Sequence, residues 1–94
     1  MKKLNVIIVY NKEENKILMC RREKEPYKGK YNLVGGKLEE NEDSFVAAYR
    51  ELEEETGISK DDITLTYLMD IDYKLLDFEL QVFAGKLNKE KTLI

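Results

Sequence analysis

The glutamates between Gly36 and Ile58 are the residues whose type and spacing could do chemistry. Glu42 stands near the start of this stretch, and Glu51, Glu53, Glu54 and Glu55 crowd its second half. On a helix, Glu51, Glu54 and Glu55 share one arc of about 100°, because residues three and four apart are surface neighbours. Like charges so placed repel by a few tenths of a kcal/mol per pair, and by more where the patch is partly desolvated. A helix built only for solubility interleaves lysines with its glutamates, whereas this one carries a single cation, Arg50, just ahead of the cluster. The plainer reading is a solvated acidic face. The sharper one is a site for a hard divalent cation such as Mg2+, which binds carboxylates, keeps several waters and takes phosphate oxygens from a substrate. Metal-assisted phosphate chemistry is the expectation.

The helix that must position these groups begins near Asp43 or Ser44, either of which can cap free backbone donors, and ends at Gly57, where a left-handed turn is tolerated. Phe45, Ala48, Tyr49 and Leu52 fall in a narrow arc and form the stripe expected to pack on a core. Ahead of the helix, Gly35 and Gly36 leave the backbone unshielded and free to take positive φ, which allows a ligand or metal close to the main chain. A tight turn between strand and loop would equally account for the pair.

Gly36, then five residues, Glu42, seven residues, Arg50-Glu51-Leu52, one residue, Glu54-Glu55, one residue and Gly57-Ile58 is a pattern of nine specified positions. It resembles the complete Nudix box of the Nudix (MutT-like) hydrolases and covers about a quarter of the chain. The resemblance implies an α+β fold in which a mixed sheet carries the box helix on one face and a second, C-terminal helix on the other. It implies Mg2+, with Mn2+ as the alternative, held by Glu51, Glu54, Glu55 and the Gly35 carbonyl. It implies a metal-activated water that attacks a diphosphate linkage in a nucleoside di- or triphosphate. Glu51 is the candidate base, and Arg50 is expected to orient the glutamates by charge-assisted hydrogen bonds. Gly36 and Lys37 are expected beside the substrate. Arg21 or Arg22 is either a charged strand end or a phosphate ligand, a role that suits a planar guanidinium. The phrase YNLVGGK resembles members that act on oxidised purine nucleoside triphosphates, where the position of Asn32 reads the base edge. The alternative from another class is a Nudix-like module that binds a nucleotide or a partner without turnover.

Composition sets the limits around this site. The chain of 94 residues, 43% hydrophobic and 37% charged, suits one small soluble domain spanning 1–94 with a modest core. Its net charge of −3 gives no footprint for a nucleic-acid polymer, so a small nucleotide is the expected partner. One cysteine and no histidine argue against an internal disulfide and the usual zinc sites, and Cys20 is expected as a buried strand residue. The apolar run at Val6 to Val9 is too short for a membrane span or a signal peptide, so the cytoplasm is the default location.

Around the box helix the pattern reads as strands. Leu4 to Tyr10 and Lys16 to Arg22 form a plausible hairpin across a turn at Asn11 to Asn15, both nearly continuous in apolar residues as if covered on two faces. A loop at Glu23 to Lys30 leads to a short strand, Tyr31 to Val34. Ile63 to Tyr73 is a strand with a bulge near Asp70, Lys74 to Asp77 a turn, and Phe78 to Leu87 a further strand. Asp70, Asp72 and Glu79 are spare acids that single out no role. No helical pattern follows Leu87, so one sheet face is expected to be bare, and a homodimer or a truncated chain is the expected explanation.

Overall fold

β-Branched residues crowd the first run, and Lys2–Tyr10 accordingly forms strand β1. In the computed structural model, which describes residues 2–21 and 31–88, β1 becomes an inner strand. The remaining elements are β2 (Cys20–Arg21), β3 (Tyr31–Asn32), β4 (Val34–Lys37), helix α1 (Ser44–Thr56), β5 (Ile63–Tyr73), a 3-10 turn (Lys74–Leu76) and β6 (Phe78–Leu87). The main sheet has the order β4-β1-β6-β5, with β1 parallel to β6 and the other neighbours antiparallel, while β2 and β3 pair separately. A mixed sheet with α1 against one face is the expected α+β architecture. No described helix is long and apolar enough to cross a membrane.

Helix α1 has the expected boundaries. The Asp43 carboxylate accepts from the N–H groups of Phe45 and Val46 at 3.0 and 3.1 Å, and Gly57, at φ 78°, closes the helix with its N–H on the Glu53 carbonyl. Ala47, Ala48 and Leu52 are fully buried. Phe45, expected in the core stripe, is instead 42% exposed: it stands in the first turn of α1, where its ring meets that of the buried Phe83 edge-on at 5.1 Å and leaves its other side open. Tyr49 is the polar fastener of the stripe: its hydroxyl oxygen accepts the Leu65 N–H of β5 at 2.8 Å.

Strand register places Val34, Ile7, Phe83 and Tyr67 in one row across all four strands, the first three fully buried. Its three buried members and Leu52 belong to the core under the helix, with Tyr67 at the exposed end of the row. Leu4, Val6 and Ile8, which alternate onto the opposite face, are only half-buried, so β1 is covered on one side and not on two as expected. Met69, Ile71 and Tyr73 are exposed on that open side.

The expected hairpin partner over Lys16 to Arg22 is not a continuous strand. β4 takes the edge of β1 at Leu4–Ile7, so the returning chain can reach only its end, through a bridge from Tyr10 to Ile17 and the Leu18 N–H on the Val9 carbonyl. It then leaves to pair as β2 with β3. The Asn11 side chain makes the intervening turn, its oxygen accepting from the N–H groups of Asn15 and Lys16. The bulge expected near Asp70 is present in β5, between Tyr67 and Met69. The loop expected over 23–30, Arg22 and the chain beyond 88 lie outside the described residues, as does the Cys20 side chain.

Burial separates two positions that the helical period treats alike. Leu52→Ala is expected to cost about 2–5 kcal/mol by cavity formation. Phe45→Ala, at a site already 42% exposed, should cost distinctly less. Urea unfolding of the two variants measures the difference.

Candidate active site

Arg50 is the hub of the acidic cluster. Its Nε and Nη2 engage the two oxygens of Glu42 at 2.7 and 2.8 Å, a side-on fork that fixes the guanidinium plane. Nη1 then donates to Glu51 at 3.0 Å and to Glu54 at 3.3 Å, and Nη2 reaches the Lys37 carbonyl at 3.4 Å. One cation thus joins the loop after β4, the backbone of β4 and two carboxylates of the helix. Glu42 also caps its own loop by accepting the Glu39 N–H at 3.0 Å. Hydrogen bonding from Arg50, and then from the Glu39 N–H, holds the Glu42 carboxyl down from its ordinary 4.5 to about 2. Arg50 is in turn held more firmly protonated, chiefly by Glu42.

The two glycines are explained by close approach. A Cβ on Gly36 would lie 2.5 Å from the Glu51 carboxylate, so only glycine leaves room for that side chain to settle on the strand. A Cβ on Gly35 would strike the Asn5 carbonyl of β1. Neither takes positive φ, and both lie within β4 rather than at a turn, so the expected conformational freedom is not what they supply. The Glu51 side chain is 14% exposed and that of Glu54 59%. Glu55 is exposed one turn beyond Glu51.

Beneath Glu51 the sheet changes character row by row. Next to the apolar row lies Gly36, Asn5, Gln81 and Asp70, and beyond it Lys3, Glu79 and Asp72. Asn5 accepts the Gly36 N–H at 2.9 Å, while its Nδ2 and the Gln81 Oε1 are buried without partners among the described residues. On β5 the neighbouring Asp70 carboxylate raises the Tyr67 hydroxyl's pKa above its usual 10. An open cleft of about 940 Å³ borders the cluster, and Glu42, Arg50 and Glu51 line it together with Leu38, Lys3, Lys37 and Asp77.

The structure therefore brings Arg50, Glu51, Glu54, Gly36 and Lys37 together. The side chains of Arg21 and Asn32 lie outside the described residues, and only their strand backbone is placed. Three contributors were not singled out from sequence: Glu42 as the partner of Arg50, Asn5 as the acceptor under Gly36, and the lysines of β1. A lone Asn inside an apolar strand was the available signal for the second. Among the described residues no three acidic groups already converge as a cation cage. The donor set nonetheless suits a hard cation: two carboxylates gathered on one guanidinium nitrogen, a third on the next turn, and a backbone that only glycine leaves open.

Residues 1–88 match the family model of the NUDIX domain. No curated protein matches the sequence. A solved structure from work on MutT of the fish pathogen Aliivibrio salmonicida and of Vibrio cholerae has a TM-score of 0.73 at 22% identity, over 95% of this chain and 68% of that one. A MutT/nudix family protein from Enterococcus faecalis has a TM-score of 0.70 at 24% identity, over 99% and 40%. A Deinococcus radiodurans protein has a TM-score of 0.80 at 19% identity, over 99% and 59%. At these identities the likeness is one of fold. The chain spans 40% to 68% of the first two structures' lengths and 59% of the third.

The depressed Glu42 carboxyl links the clamp to pH. A lowered carboxylate pKa contributes stability above the unfolded value and loses it as pH falls towards the folded one. The stability advantage of wild type over Glu42→Gln should accordingly be full above about pH 4.5 and fade as pH approaches 2. Denaturant titrations of both proteins across that range measure it.

Proposed function

The chain belongs to the Nudix domain family, and from that premise we propose that it hydrolyses a diphosphate linkage in a nucleoside di- or triphosphate or a related derivative. The observation that carries this reading is the seat of Glu51, whose carboxylate lies on Gly36 where any side chain would collide with it, and which shares Arg50 with Glu42 and Glu54. Glu51, Glu54 and Glu55, with the Gly35 carbonyl, would hold Mg2+ or Mn2+, which when bound neutralises phosphate oxygens and makes a water more acidic.

The chain's own residues supply the rest. Arg50 donates to Glu51 and Glu54 and so holds both side chains in place as acceptors without reorganisation during reaction, with Glu51 on the cleft. The Glu51 oxygen not engaged by Arg50 is the atom at which a water's proton would be held. Lys37 borders the same cleft, where its ammonium group can meet a substrate phosphate, and Gly36 lies beneath Glu51. An oxidised purine nucleoside triphosphate is the first member of the class to assay. A module that only binds nucleotide would show saturable binding with no release of phosphate or pyrophosphate.

Glu55→Gln keeps size and helix propensity while removing a ligand charge. It should leave the fold intact and lower hydrolysis by at least about a hundredfold, equivalent to roughly 3 kcal/mol of barrier. Phosphate and pyrophosphate release from a nucleotide panel reads it, and undiminished turnover would place the metal elsewhere. Independently of turnover, Mg2+ at about 100 times its dissociation constant should stabilise the fold by about 2.7 kcal/mol. Melts with Mg2+ and with chelator that coincide, for wild type and Glu54→Gln alike, would remove the metal from this site.

A further inference from the structure

Asn5 is a carboxamide, 4% exposed, in a strand whose next two inward residues, Ile7 and Val9, are apolar. A polar group so placed costs stability unless it is bonded. What it bonds is a backbone group of β4, since Oδ1 accepts the Gly36 N–H at 2.9 Å. That contact also decides which way the amide is turned, because Nδ2 in place of Oδ1 would set two donors against each other. Nδ2 itself is left without a partner among the described residues, as is Oε1 of its register neighbour Gln81.

The Gly36 N–H belongs to the peptide that carries the Gly35 carbonyl. A trans peptide is planar with its C=O and N–H pointing opposite ways, so fixing one fixes the other. Asn5 lies on β1, the one strand beside β4 in the main sheet, and the Gly35 carbonyl is therefore turned to the outer edge of β4. The peptide two residues on has the same phase along the strand, and both of its ends are seen. Its Leu38 N–H donates to the Lys3 carbonyl of β1 at 2.9 Å, while its Lys37 carbonyl accepts from Arg50 Nη2 at 3.4 Å. The Gly35 and Lys37 carbonyls thus share the edge that Arg50 occupies, and the Glu51 carboxylate, held by the same guanidinium, rests against Gly36, the residue between them.

We propose that Asn5 is a positioning residue for the metal site: its oxygen locks the Gly35–Gly36 peptide so that the Gly35 carbonyl stands as a ligand at the edge where Arg50 gathers Glu51 and Glu54. This role rests on the metal-site reading above. Two glycines have no side chains to brace the peptide between them, and Asn5 supplies the brace from the neighbouring strand. An N–H that donates also leaves its own carbonyl more negative, because hydrogen-bonded groups polarise one another. Asn5 thus aims the oxygen and strengthens it as a ligand for a hard cation.

Asn5→Leu keeps the size of the side chain and removes the acceptor without changing charge. Titrations with Mn2+, followed by the electron paramagnetic resonance of the free ion, should show the dissociation constant rise at least about tenfold against wild type. A second measurement needs wild type alone. As Mg2+ saturates the protein, the Gly36 amide proton should move downfield in NMR spectra, because a cation on the Gly35 oxygen tightens the bond to Asn5. A residue that only props the strand would lower the melting temperature and move neither readout. Equal Mn2+ affinity in wild type and Asn5→Leu, with Glu54→Gln weakened, overturns the role of Asn5 and leaves the metal site standing. A Gly36 amide that Mg2+ leaves unmoved does the same. Wild type that binds no Mn2+ overturns both together. Asn5-dependent Mn2+ binding without nucleotide turnover keeps the role of Asn5 and overturns the hydrolase reading instead.

Discussion

The guanidinium of Arg50 is the constraint on which the site depends. Glu42, Glu51 and Glu54 would repel one another if they were merely near, yet here each has an oxygen within 3.3 Å of one cation. The fork to Glu42 is the part with fixed geometry, and it leaves Nη1 pointed at the helix carboxylates. Lysine could not do this, because a single ammonium has no plane and cannot address two oxygens side-on while serving two further acceptors in fixed directions. The side chains of Arg50 and Glu42 are 25% and 11% exposed, so the network is screened less than an ordinary surface pair and orders the loop between β4 and α1 as well as the carboxylates.

Around that hub the sheet is graded. Moving along the strands from the middle of the helix towards the cleft, the rows pass from apolar Val34, Ile7, Phe83 and Tyr67 to amide-bearing Asn5 and Gln81, and then to charged Lys3, Glu79 and Asp72. The apolar row anchors the helix and the amide row gives Gly36 a fixed seat through the Asn5 oxygen. The charged row reaches the open cleft through Lys3. Each row is assembled from three or four strands that are distant in sequence, so the gradation exists only after the sheet has formed.

That explains what was legible beforehand. The helix, its Asp43 and Gly57 boundaries and the spacing of Arg50, Glu51, Glu54 and Glu55 are local, set by a 3.6-residue period and by short-range capping, and the sequence shows them directly. Strand positions over 63–73 and 78–87 were equally local. The failures were all matters of who stands beside whom. Lys16 to Arg22 has the composition of a strand but finds the edge of β1 already occupied by β4. Phe45 has the phase of a core residue but, in the first turn of the helix, is covered on one side only, by Phe83. Gly35 and Gly36 are glycines because of Asn5 and Glu51, neither adjacent in sequence. The role of Glu42 needed the direction of the Arg50 side chain, which no period encodes.

The parallel pairing of β1 with β6 has a consequence for how the chain acquires its structure. The first strand described and the last lie side by side at the centre of the sheet, in register from Lys2 with Phe78 to Tyr10 with Lys86. On a ribosome, β1 emerges early with its long apolar edge and must wait for nearly the whole described chain before its main partner exists. Closing so large a loop is slow, and an unsatisfied strand edge is open to pairing with other chains meanwhile. The antiparallel β5–β6 pair, joined by the short 3-10 turn, can form locally and present β6 ready-made. Assembly is therefore expected to proceed backwards along the chain, with the oldest strand the last to be enclosed.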